Sequence, residues 1–84
     1  MNIFVAKLNY RTAESELRSL FEQYGTVDTV KVVMDRETGR SKGFGFVEMP
    51  NEEEAQSAID ALNESNFDGR DIVVKRSEPR KPYR

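Results

Sequence analysis

Residues 39–49 read GRSKGFGFVEM. Phenylalanine and glycine alternate through the middle, with a lysine before and a glutamate after. Side chains along a strand point alternately to its two faces. Lys42, Phe44, Phe46 and Glu48 therefore share one side, and Gly43, Gly45, Val47 and Met49 the other. If the phenylalanines faced a core, Lys42 and Glu48 would face it too. Burying unpaired charge costs several kcal/mol. With the phenylalanines outward, the inner side is wholly apolar. The parity predicts two aromatic rings on an open surface, and glycines that let a helix approach closely from behind.

The rest of the chain supplies what such a surface needs. Residues 2–8, NIFVAKL, are apolar and β-prone and read as a strand. Placing Ile3 and Val5 inside leaves Phe4 outside. This strand alone does not decide the burial of Phe4; the wider pattern places it on the open face. Leu8 then falls on the outward parity, so the strand must twist or end near Lys7. Thr12 is a candidate helix cap, with Glu14 and Glu16 suited to the positive end of the dipole. Leu17, Leu20, Phe21 and Tyr24 recur at helical spacing, and Gly25 is the expected stop.

Residues 27–34 predict a second strand with Val30, Val32 and Met34 on one side, and residues 35–42 a polar loop. Residues 43–49 are the third strand. Asn51 and Glu54 form a capping-box pattern before Ala55, Ala58, Ile59 and Leu62, the stripe of a second helix. Residues 63–69 read as loop. Residues 70–75, RDIVVK, form a fourth strand with Ile72 and Val74 inward, so that Asp71, Val73 and Lys75 look outward, as do Thr29, Lys31 and Val33 on the second. The order β-α-β-β-α-β defines the α+β split β-α-β (ferredoxin-like) arrangement. It is a four-stranded antiparallel sheet with two helices on one face and the other face bare. The first and third strands should be central, gathering Phe4, Phe44 and Phe46.

Composition narrows the chemistry. The chain has 84 residues, one domain's worth, with no cysteine and no histidine. Disulfide chemistry is absent, and the commonest general base and metal ligand are missing. We expect no catalytic residues, no metal and no cofactor. No run is long and apolar enough for a membrane span, and the N-terminus lacks a signal-peptide layout. The expected location is cytoplasmic.

The net charge is −2, yet residues 12–24 and 51–64 hold eight acids and one base, leaving twelve bases and seven acids elsewhere. The helices are acidic. The basic residues Lys7, Lys31, Lys42, Lys75, Arg76, Arg36 and Arg40 flank the predicted aromatic face. Flat rings beside cations suit unpaired bases, at about 1–3 kcal/mol of stacking per base. The cations would take phosphates and make binding salt-dependent. The glycines of GRSKGFG do not form a phosphate-cradling loop, which needs a helix after it; a strand follows here.

KGFGFVEM (42–49) resembles the octamer of the RNA recognition motif family, meeting seven of its eight positions. The departure is Met49 in place of an aromatic, at an inward position. IFVAKL (3–8) is similar to the family's hexamer on the first strand, with Ala6-Lys7 where members often have Gly-Asn. The resemblance covers residues 2–76. It implies that Phe4 and Phe44 stack on successive bases, that Phe46 packs against sugar, and that Lys42 meets a phosphate.

The resulting expectation is a domain over 1–76 with a short basic flexible tail at 77–84. Its function is sequence-tolerant, non-catalytic binding of single-stranded RNA, or of single-stranded DNA, by a monomer. The layout is similar to small single-domain bacterial RNA-binding proteins, which implies post-transcriptional RNA regulation. Lys75, Arg76 and Ser77, where the chain leaves the fourth strand, are the expected contributors to base preference. Two readings compete: a protein partner covering the sheet, and an enzyme on the same layout. The latter lacks converging catalytic groups.

Overall fold

The structure is a computed structural model that describes residues 1–77. The elements are β1 (Asn2–Ala6), α1 (Glu14–Glu22), β2 (Thr29–Met34), β3 (Ser41–Glu48), α2 (Glu52–Leu62), β4 (Asn66–Phe67), β5 (Arg70–Asp71) and β6 (Val73–Ser77). Four strands form one antiparallel sheet in the order β2-β3-β1-β6, with β1 and β3 central as expected.

One core joins the layers. Ile3, Val5, Val32, Val47 and Val74 from the sheet meet Leu17 and Phe21 of α1 and Ala55, Ala58, Ile59 and Leu62 of α2. Full burial of each large apolar side chain contributes about 1.5–3 kcal/mol. That is enough for these inward positions to dictate the register of every strand.

β1 stops at Ala6, as the parity of Leu8 requires, because Lys7 adopts φ 60, a left-handed backbone. That rotation carries Leu8 from the outward parity into the core, where it is fully buried and its N–H donates to the Gly43 carbonyl at 2.8 Å. Thr12 is not the cap of α1. The N-cap is Ala13, whose N–H donates to the Glu16 carboxylate at 2.8 Å. The Thr12 hydroxyl instead donates to Asp68 at 2.8 Å, across 56 positions of sequence. Asn51 does cap α2, accepting from the Glu54 N–H at 2.9 Å. The Glu54 carboxylate, however, accepts from the Thr26 N–H at 3.1 Å rather than closing a capping box.

Met34 was expected inward and is 54% exposed. The β2–β3 register shifts between Val32 and Met34, which is the last residue of the edge strand, pairs with Ser41 and falls outside the core cluster. On the same edge strand the Val32 N–H donates to the Glu14 carboxylate at 2.9 Å, so a helix acid covers an open strand edge. The inward glycines also serve a different purpose from that expected. A Cβ on Gly45 would collide with the Lys31 carbonyl, so the close approach is of the neighbouring strand, not of a helix.

The segment 63–69 is not simply loop. β4 and β5 pair as a hairpin around Asp68 (φ 54) and Gly69 (φ 84), the paired positive φ of the tight turn that favours Asp-Gly. The predicted fourth strand is thereby divided. Arg70 and Asp71 belong to the hairpin, Ile72 is anchored by exchanging hydrogen bonds with Glu64 and Ser65, and β6 begins at Val73.

Candidate nucleic-acid interface

The strand register lays the outward side chains in transverse rows. Lys31, Phe46, Phe4 and Lys75 are successive Cα partners across β2, β3, β1 and β6. Beside them Phe44 pairs with Ala6, and Ala6 with Val73. On the other side run Thr29, Glu48, Asn2 and Ser77. The central row thus reads cation, ring, ring, cation.

The rings form one cluster. The centroids of Phe4 and Phe46 lie 5.5 Å apart, those of Phe4 and Phe44 5.8 Å, and those of Phe44 and Phe46 6.4 Å. The Phe44–Phe46 contact is edge-to-face at 88°, an arrangement the ring quadrupoles favour. Phe46 is 40% exposed, and Phe4 and Phe44 are half-buried by their neighbours. No helix covers them, because both helices spend their apolar stripes on the other side of the sheet.

Lys42 is exposed at the outward parity of β3, two positions from Phe44. Lys7 is exposed just past β1. Arg36 and Arg40 are exposed on the β2–β3 connection, near Lys42 rather than on the sheet itself. Asp35 organises that connection. Its carboxylate accepts from the Glu37 N–H at 2.8 Å, and its carbonyl accepts from Gly39 at 2.8 Å. Arg76 falls elsewhere: its register partner is the fully buried Ile3, so it takes the core-side parity at the outer strand. Ser77 returns to the outward parity. Arg80, Lys81 and Arg84 of the expected tail lie outside the described residues.

Among the described residues the only ion pair is Arg18–Glu22 at 3.6 Å, on α1. Among the described residues no acid lies within ion-pair distance of the lysines around the rings, and the helix acids sit in the opposite layer. An anion meeting this rim displaces only water and counterions.

Two exposed groups were missed by the sequence reading. Tyr10 is 61% exposed, and the Arg70 guanidinium lies 5.8 Å from its ring centroid. An aromatic in a polar loop and the Asp-Gly turn were the available signals. No helix of the described residues is long and apolar enough to cross a membrane.

The family profile described as the RNA recognition motif matches residues 3–73, and the chain belongs to that family. It is similar to the putative RNA-binding protein RbpB of Nostoc sp., with 45% identity over 95% of this chain and 78% of that protein. The crystal structure of RNA Binding Protein PG1 superposes with a TM-score of 0.92 at 50% identity, covering 98% of this chain and 99% of that one. The structure of the Rna15 RRM with bound RNA (GU) matches with a TM-score of 0.83 at 28% identity, over 93% of this chain and 83% of that one. The family and these RNA-binding relatives support RNA binding by this chain.

Proposed function

We propose that this protein binds single-stranded RNA, without catalysis, by stacking bases on the open sheet face while the lysine rim holds phosphates. The observation that carries the reading is the transverse row Lys31–Phe46–Phe4–Lys75 on the side of the sheet away from both helices. Each base presents a π-face to an exposed ring, worth about 1–3 kcal/mol, so binding tolerates many sequences.

Exposure favours an assignment of the rings different from the one the family resemblance suggested. Phe46 is the most open of the three and stands directly across from Phe4. These two are the base platforms. Phe44, half-buried and edge-on to Phe46, is suited to a sugar. Lys31, Lys42 and Lys75 take phosphates, with Lys7, Arg36 and Arg40 extending the basic rim at the Phe44 end. Arg76 contributes field rather than a contact from the face. The domain, residues 1–76 followed by the basic segment 77–84, acts as a monomer in the cytoplasm and serves post-transcriptional RNA regulation.

The test is a titration of wild type, Phe4→Ala, Phe44→Ala and Phe46→Ala with short RNA oligomers, each variant first shown to be folded by circular dichroism. Loss of affinity in all three supports the reading. Folded variants that bind as wild type does defeat it, and a concentration-dependent dimer indifferent to RNA would assign the face to protein instead.

A further inference from the structure

Resting on that reading of the face, we infer that Glu48 makes one position of the bound RNA selective for guanine. Glu48 is the one carboxylate at an outward position of β1, β2, β3 and β6. It is exposed, two positions along β3 from Phe46 and on the same side. Its register partners are Asn2 on β1 and Thr29 on β2, and Ser77 follows Asn2 on β6. A polar row therefore borders the platform on which the bases are stacked.

A carboxylate is out of place among groups that bind phosphate, because it repels the RNA backbone. The backbone must run over the lysines, and what meets Glu48 must be a base edge. An ionised carboxylate only accepts hydrogen bonds, through two oxygens side by side. Guanine presents two adjacent donors on its Watson–Crick edge, the N1–H and the exocyclic N2 amino group. Adenine and cytosine each set a ring-nitrogen lone pair beside their amino group, which would face the second carboxylate oxygen. Uracil has one N–H between two carbonyls.

The next group on the guanine edge is the O6 acceptor. The amide of Asn2, directly across from Glu48, carries donors for it. Glu48 and Asn2 together match donor, donor, acceptor, an order that only guanine among the four bases presents. Base edges are read in this way when single-stranded RNA is splayed over a surface. The base concerned is one lying over the Phe4–Phe46 pair with its edge turned toward the polar row.

The experiment titrates the full chain by fluorescence anisotropy, at one fixed low ionic strength, with the heptamers UUUGUUU, UUUAUUU, UUUCUUU and UUUUUUU. Wild type is expected to bind the guanine heptamer about tenfold tighter than the adenine one, the worth of one good bidentate pair. Glu48→Ala should bring the four affinities within about twofold, with affinity for the all-uridine heptamer rising because a like charge has been removed. Wild type binding all four within twofold, or Glu48→Ala keeping the tenfold preference, overturns the inference. Phe46→Ala is run alongside. If it loses every heptamer while wild type shows no preference, stacking on the face stands and only the guanine assignment falls. If wild type binds none of the four, the stacking reading falls and the guanine inference with it.

Discussion

Phe4 stands directly across the β1–β3 pair from Phe46, their ring centroids 5.5 Å apart and their planes tilted by 52°. The two rings support one another as well as any base laid over them. Aromatic pairs of this kind are worth about 0.5–1.5 kcal/mol beyond their buried area. We expect Phe4→Ala and Phe46→Ala each to weaken RNA binding by about 1–3 kcal/mol. Their double variant should lose less than the sum, because removing either ring also displaces the other. A double-mutant cycle of dissociation constants measures this; strict additivity would mean the rings act independently.

Lys31 and Lys75 end the same row, one on each outer strand. Each lysine that meets a phosphate on a single strand contributes about 0.7 to the slope of log K against log salt. Lys31→Gln and Lys75→Gln should each reduce that slope by about this amount while leaving the stacking contribution in place. The effect should be uniform across RNA sequences. Arg76→Gln, on the core-side parity, should change the slope less than either lysine does.

Gly45 has no room for a side chain. A methyl group there would collide with the Lys31 carbonyl of β2 and crowd the Val32 Cα. Overpacking against backbone costs about 1–3 kcal/mol. Gly45→Ala is expected to lower the urea midpoint by that much stability, and to weaken RNA binding as well by displacing β2, which carries Lys31. Equilibrium unfolding followed by circular dichroism checks the first part.

Thr12 is 3% exposed and holds Asp68 through one hydrogen bond of 2.8 Å, and Asn9 reaches the Asp68 carbonyl at 3.0 Å. The hairpin tip is thus fastened to the loop after β1. Thr12→Val keeps the shape but removes the donor, and we expect a loss of about 1 kcal/mol. The loss should appear as faster amide exchange at Glu64 and Ile72, whose N–H groups close the base of this hairpin, with little change in β1 and β3.

Much of the molecule was legible in residue order because alternation and helical spacing are local properties that burial enforces. The inward set Ile3, Val5, Val32, Val47 and Val74, the stripe of α2, and Leu17 and Phe21 of α1 are in the core, while Leu20 and Tyr24 are partly buried against it. The outward Phe44 and Phe46 follow from the same alternation, since Lys42 and Glu48 could not be buried alongside them; Phe4 follows from the wider pattern of the sheet. What escaped depends on contacts between distant parts. Thr12 has the chemistry of a cap, but its hydroxyl found Asp68 instead. Met34 keeps the parity of Val32 in sequence, yet it ends the edge strand past an irregularity in the pairing with β3 and is exposed.

The amino-acid order by itself determined the order of the two helices and the four strands of the main sheet, the inward and outward faces of most strand positions and the identity of the three rings, because each follows from spacing a few residues long. The tertiary structure alone decided which outward residues become neighbours. Pairing β1 between β3 and β6 aligns Phe46, Phe4 and Lys75, residues far apart in the chain, into a single row. It also sets Glu48 beside Asn2 and turns Arg76 toward the core side. Register is fixed by the packing of the buried faces on the helices, so the pattern on the open face is a consequence of energy gained on the other.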